Sequence, residues 1–287
     1  MKLFAGTKHW LKLGRWRARR AFTALRWGPG ELRRMPAVLG NAMPKSGSHL
    51  IIQVLQGLTH LGPFVDPGFP PVNRGETNDK LPVEAILRNI RSMQPGDIGY
   101  GYLAAQEPYL SALVGAGRAT IFVSRDPRDM IVSHVFYATQ MHTGHGMHRY
   151  YTEVLHSMEE RINAAIQGVE EPGAELSSIR TKYLAYLGWL EQPQVLCLRF
   201  EDLILNREPA LGQLLDYLEE RGFRPRLGRQ AAIETLTASI APRKSGTFRK
   251  GKPGNWQDHF TEKNKALFKE VTGDLLVRMG YEENCNW

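Results

Sequence analysis

Cysteine is nearly absent from this 287-residue sequence: Cys197 sits in an apolar run and Cys285 near the C-terminus. Two thiols build no disulfide framework, and no CxxC spacing offers a structural zinc site. A reducing, cytoplasmic setting without a metal is therefore expected. No apolar run approaches the roughly 18 residues of a membrane span. The N-terminal stretch KHWLKLGRWRARRAFTALRW (8–27) lacks the unbroken apolar core of a secretory signal. There is no low-complexity tract and no internal repeat, which argues against solenoids and disordered arrays.

What is present is ordinary for a globular protein, at 42% hydrophobic and 23% charged residues, with a net charge of +8. That charge favours anionic ligands: nucleic acid, lipid headgroups or a polyanionic small molecule. In the leader, Trp10, Leu11, Leu13, Trp16, Phe22 and Leu25 interleave with Lys12, Arg15, Arg17, Arg19 and Arg20. This is the pattern of a basic amphipathic helix. It either makes a weak membrane-surface contact, peripheral to a cytoplasmic protein, or packs on the protein itself with its arginines solvated. Residues 1–35 are read as this N-terminal segment and 36–287 as the domain.

Apolar runs alternate with helical periodicity from residue 36 onward. Strands are expected over PAVLGNAM (36–43), DIGYGYL (97–103), RATIFVSR (118–125) and QVLCLRF (194–200). Helices are expected over 48–61, capped by Ser48, over 83–93, from the DPRD segment to about Tyr137, near 150–167 and 174–191, and over 262–279. Residues 62–82 are too rich in Pro, Gly and Asn for regular structure. Strands alternating with helices imply a single α/β domain, a parallel sheet flanked by helices. Ligands of such sheets sit at the carboxyl ends of the strands, where three expected strands run into PKSGS, RDPRD and RFEDL.

The first of these, Pro44-Lys45-Ser46-Gly47-Ser48, is a strand-to-helix turn that offers backbone N–H groups, a lysine and two hydroxyls to an anion. Gly47 lets the backbone approach closely. The order is not the Gly-Lys-Ser/Thr of an ATP-binding loop, whose hydroxyl holds Mg²⁺. A single phosphate without a metal suits it better. The second motif, VSRDPRDMIVSHVFY (123–137), sets Arg125 at a strand end and Ser133 eight residues on in the helix, a guanidinium and a hydroxyl for another phosphate. The third, SGTFRKGKPGNWQDHFT (245–261), is a basic glycine-rich loop able to close over an anion. Taken alone, each also reads as a capped helix or a solvated basic loop.

PKSGSH, RDPRDMIVSH and FRKGKPGNW, in this order and spacing, resemble the sulfotransferases that use 3′-phosphoadenosine 5′-phosphosulfate (PAPS), over roughly residues 36–265. The resemblance implies a fold related to nucleotide kinases, a three-layer sandwich around a parallel sheet. It implies that Lys45, Ser46, Gly47, Ser48 and His49 surround the 5′-phosphate and sulfuryl group. Arg125 and Ser133 then bind the 3′-phosphate, and Arg249, Lys250 and Gly251 close over it. Phe200 stands where the family usually has a Tyr beside the nucleotide. The expected reaction moves the sulfuryl group to a hydroxyl, with an amine second, of a small organic acceptor and releases adenosine 3′,5′-bisphosphate (PAP). Lys45 would stabilise charge developing in the transition state.

The catalytic base departs from the family pattern. Where a His is expected, the sequence reads DIGYGYLAAQEPYL, and no His lies between His60 and His134. Tyr102, Glu107 and His49 stand as candidates, while His49 also reads as a phosphate donor. His142, His145 and His148 are read as part of an acceptor-lining segment rather than a metal site, and Phe64, Phe69 and Pro71 as pocket walls. Two rivals remain: an ATP-dependent small-molecule kinase on the same scaffold, and a PAP-binding protein without an effective base. No motif for nucleic acid is found. Acceptor identity and oligomeric state cannot be read from the sequence.

Overall fold

A computed structural model of the chain describes residues 2–241 and 252–287, with side chains from residue 10 onward. The chain divides into two compact units, Met1–Ser124 with Trp189–Ser245, and Arg125–Gly188 with Gly246–Trp287.

The first unit holds a four-stranded parallel sheet made of β1 (Ala37–Ala42), β2 (Ile98–Gly101), β3 (Arg118–Ser124) and β6 (Val195–Arg199), in the order β2-β1-β3-β6. Every residue of β1 is buried, as are six of the seven residues of β3, so these strands are covered on both faces. The carboxyl ends of β1, β3 and β6 lie side by side because the three run parallel in adjacent register.

Helices complete this unit: α1 (Lys2–Trp27), α2 (Pro29–Arg34), α3 (Ser48–Leu61), α4 (Val83–Ser92) and α5 (Tyr109–Leu113) before β3, then α9 (Phe200–Leu205), α10 (Arg207–Glu219) and α11 (Arg229–Ser239) after β6. Ile51, Val54, Leu55 and Leu58, at i, i+3, i+4 and i+7, turn one stripe of α3 into the core, where none is more than 2% exposed. Each such side chain contributes about 1.5–3 kcal/mol of burial. Phe64, expected to line a pocket, is instead buried in this core with its ring edge-on to Phe223 at 5.0 Å.

The second unit contains α6 (Pro127–Phe136), α7 (Met158–Gln167), the antiparallel pair β4 (Val169–Glu171) and β5 (Ala174–Leu176), α8 (Ile179–Leu187), α12 (Glu262–Thr272) and α13 (Leu275–Arg278). Single π-helical turns occupy Tyr137–Met141 and Tyr150–Val154. The helix expected from 174 is thus corrected: Pro172-Gly173 turns a short hairpin, Gly173 taking a φ of 81°, and helix begins only at Ile179, capped by Ser178.

Candidate active site

The loop after β1 is built by backbone. Lys45 takes the left-handed conformation at φ 69° and Gly47 follows at φ 96°. Such a conformation in a lysine costs about 1–3 kcal/mol and is a mark of functional loops. Gly47, not Ser48, is the N-cap of α3, and no side chain caps that helix. The first turn of α3 stands at the positive end of the helix dipole, where an anion is stabilised. Ser46 is fully buried, and its Oγ has no hydrogen-bond partner among the described residues. A buried hydroxyl without a partner is costly unless a ligand supplies one. The ring of Phe200, first residue of α9, lies over the same turn, where a Cβ on Gly47 would come within 2.6 Å of its Cδ2. Lys45 makes itself felt at His49, whose pKa is lowered by desolvation first and by the Lys45 charge second. His49 is therefore neutral at pH 7 and able to give one hydrogen bond.

The end of β2 is held against this loop by side chains. Asn41 of β1 donates to the Leu103 carbonyl and accepts the Leu103 N–H, both at 2.9 Å, and Trp189 Nε1 donates to the same carbonyl at 2.8 Å. Tyr102 is clamped in turn by Asn73, which accepts its N–H and donates to its carbonyl. Glu107 is committed elsewhere: its carboxylate accepts the Ser111 hydroxyl at 2.7 and 2.8 Å across the first turn of α5. Of the three base candidates, Tyr102 and His49 are positioned by the fold and Glu107 is tied to a helix start.

A cavity of about 610 Å³ lies in the same unit beneath α1. Leu13 and Trp16 roof it, Ile52 and Leu55 of α3 line it, and Phe69 and Tyr100 supply aromatic walls. Pro70 lines it where Pro71 was expected. The Tyr100 ring stands edge-on to Tyr102 at 6.4 Å, so the cavity wall touches the end of β2. Burial, with Tyr102 and Asp66 near, pushes the Tyr100 pKa up to about 12.

In the second unit, side chains do the building. Arg125 follows β3, its carbonyl accepting from the Tyr183 hydroxyl at 2.9 Å. Its guanidinium stands 3.9 Å from Asp129, one turn on in α6. Asp129 is fully buried and receives two backbone N–H bonds at 2.8 Å, from Gly254 and Trp256. Burial raises its pKa above the ordinary carboxylate value, and Arg125 with the two N–H donors offsets only part of that rise. This carboxylate therefore ties the segment just after the basic loop to the arginine motif. Arg249, Lys250 and Gly251 themselves lie outside the described residues. Beside the tether, Arg128 is sandwiched between Trp256 and Trp287 at 4.1 and 4.5 Å and pairs with Asp126 and Glu282. Ser133 is half-buried on α6. The tether role of Asp129 was not foreseen; an acid one turn after a strand-end arginine was its only signal.

The histidines of residues 142–148 are gathered by ring contacts. His145 packs edge-on against His134 at 5.2 Å and Tyr137 at 5.8 Å, while His148 Nδ1 bonds the Ala138 carbonyl at 2.8 Å. Among the described residues no group of three or more His, Cys, Asp or Glu could hold a metal, and no helix is long and apolar enough to cross a membrane.

Residues 119–280 match the family described as Sulfotransferase domain. Cytosolic sulfotransferase 16 of Arabidopsis thaliana is 24% identical over 197 residues, covering 61% of this chain and 55% of that protein, so the match spans about half the length of that curated relative. Among solved structures, mouse sulfotransferase SULT7A1 complexed with PAP superposes with a TM-score of 0.61 at 15% identity, covering 88% of this chain and 91% of the other. Retinol dehydratase in complex with androsterone and inactive cofactor PAP gives 0.57 at 14%, covering 86% and 83%. At these identities the structural likeness concerns the fold.

Proposed function

The chain belongs to the sulfotransferase-domain family, and from that premise we propose that it transfers a sulfuryl group from PAPS to a hydroxyl of a small organic acceptor, releasing PAP. The observation that carries the reading is the loop after β1: a buried Ser46 hydroxyl without a partner among the described residues, a helix start that no described side chain caps and a left-handed Lys45 around a glycine that admits no side chain.

PAPS supplies an activated sulfuryl group on a 5′-phosphate and a separate 3′-phosphate. On this reading Ser46, Gly47, Ser48 and His49 hold the 5′ end and Lys45 meets charge developing toward the leaving phosphate. Arg125 and Ser133 hold the 3′-phosphate, with Arg249, Lys250 and Gly251 over it. Phe200 packs beside the nucleotide, as it packs on Gly47. The aromatic and aliphatic cavity under α1 takes the body of the acceptor, and Tyr102 at its edge orients the hydroxyl that reacts.

The test is a thermal shift with PAP, adenosine 5′-monophosphate, and ATP with Mg²⁺, paired with PAPS turnover on an acceptor panel. PAP alone should stabilise the fold by about 2.7 kcal/mol at about 100 times its dissociation constant. Arg125→Ala should cut that shift to about half or less, and Lys45→Ala should keep it while lowering turnover by about 10²–10³. Stabilisation by ATP with Mg²⁺ and not by PAP would overturn the assignment.

A further inference from the structure

The two faces of α1 (Lys2–Trp27) have different partners. Its inner face is fastened to its own unit: Lys12 pairs with Glu76 at 2.6 Å, Trp16 Nε1 and Arg20 donate to Asp97 at 3.0 and 2.7 Å, and Arg19 donates to the Asp66 carbonyl at 2.6 Å. From residue 10 onward, at 100° per residue, the opposite face carries Trp10, Leu11, Gly14, Ala18, Ala21, Phe22 and Leu25 and no polar side chain. Trp10, Leu11, Phe22 and Leu25 are 70, 60, 65 and 86% exposed, four of the five most exposed large apolar residues described. The remaining exposed apolar residues are scattered singly over the chain, as is normal for a surface.

Arginines border this strip on both sides, Arg17 on one and Arg15 and Arg26 on the other. None of the three has a carboxylate partner among the described residues, whereas Lys12 and Arg20 on the inner face do. The charge count is equally lopsided. The sequence holds 37 Lys and Arg against 29 Asp and Glu; residues 2–27 contain eight of the basic residues and no acidic one, so the rest of the chain is balanced at 29 of each. The whole net charge of +8 therefore belongs to α1.

We infer that the outer face of α1 seats the protein on an anionic lipid bilayer, its apolar strip in the headgroup–acyl boundary and Arg15, Arg17 and Arg26 against lipid phosphates and carboxylates. The charge selects this occupant. A second copy would bring two strongly basic helices face to face, which repels them. A nucleic acid would engage the arginines and leave the apolar strip in water. A helix fastened on one face and lipid-seated on the other places the cavity it roofs within about 10 Å, one helix diameter, of the membrane surface. An amphiphilic molecule then has a short path from the bilayer.

The experiment is co-sedimentation of the full chain with sucrose-loaded vesicles of phosphatidylcholine alone and of phosphatidylcholine with phosphatidylserine at about 3:1, at low and high salt. The chain should pellet with the serine-containing vesicles at low salt and stay largely soluble with phosphatidylcholine. The triple variant Arg15→Gln, Arg17→Gln, Arg26→Gln should lower partitioning on the order of a hundredfold. Phe22→Glu with Leu25→Glu should abolish it. Both variants change exposed positions, and an unaltered melting temperature confirms that they fold. The inference is overturned if the wild type ignores both vesicles, or if Phe22→Glu with Leu25→Glu binds as well as wild type. It is equally overturned if the wild type ignores lipid but runs as a dimer that this double variant splits. None of these outcomes depends on the reaction the enzyme performs.

Discussion

The two regions proposed to bind the donor's phosphates are made of different material. Around Gly47 the chain uses backbone: a left-handed lysine, an uncapped helix start and a glycine with Phe200 pressed on it. Around Arg125 it uses side chains, a guanidinium 3.9 Å from a buried Asp129 that also holds the N–H groups of Gly254 and Trp256. A backbone site is sensitive to shape and tolerant of charge changes. A side-chain site fails when a single partner is removed, because what it leaves behind is buried and unpaired.

The sharpest break in that comparison is Asp129→Ala. It strands the N–H donors of Gly254 and Trp256 and removes the carboxylate 3.9 Å from the Arg125 guanidinium, and breaking a buried pair in this way costs about 3–5 kcal/mol. Chemical denaturation should read the loss. Asp129→Asn, which keeps one acceptor oxygen, should recover part of it and restore some PAP binding. If Asp129→Ala melts like wild type, the tether contributes nothing and the side-chain reading of this region fails.

Gly47→Ala tests the other region by shape alone. The left-handed φ of 96° costs a non-glycine residue about 1–3 kcal/mol, and the new Cβ meets Phe200 at 2.6 Å. PAP affinity should fall although no charge has changed. Adding Phe200→Leu should relieve the clash and leave the backbone strain, so the double variant should lie between the single variant and wild type. Full recovery in the double variant would mean that the glycine serves packing and not conformation.

How much of this was legible in sequence follows the same division. The backbone-built half was: β1, the turn and α3 were placed within a residue or so, because an apolar run, Lys45-Ser46-Gly47-Ser48 and a helical stripe are local signals. Only the cap was misplaced, from Gly47 to Ser48. The side-chain-built half was half legible. Arg125 and Ser133 announce themselves, but the bond from Asp129 to Gly254 and Trp256 crosses more than a hundred residues and has no local pattern. Ala174–Leu176, the second strand of the hairpin, was read as the start of a helix because three-residue strands carry too few alternations to outweigh neighbouring helix formers. Phe64 shows a further limit: an aromatic residue in a Pro-rich loop fits a pocket wall or the core equally well until its neighbour, Phe223, is known.

The smallest effect should come from His49, and it sharpens the comparison by asking whether the backbone site senses charge at all. In the free protein desolvation and Lys45 hold its pKa below the ordinary 6.5, so the folded state resists protonation. The contribution of this group to stability is present above that ordinary value and is lost as the pH falls through the folded pKa. A 5′-phosphate brought next to the ring reverses the sign of its surroundings and pulls the pKa back up. PAP binding should then take up a proton, and affinity should rise as the pH falls from 7 toward 6, by less than about tenfold per unit because one proton is exchanged. Titration calorimetry in two buffers of different ionisation enthalpy reads that proton directly. His49→Gln should abolish the uptake while leaving most of the affinity, since the amide can still donate to a phosphate oxygen. Arg125→Ala should do the opposite, lowering affinity by about 10–100-fold with the proton uptake intact. Uptake that survives His49→Gln would assign the proton to the phosphate itself and leave the loop after β1 a site of shape only.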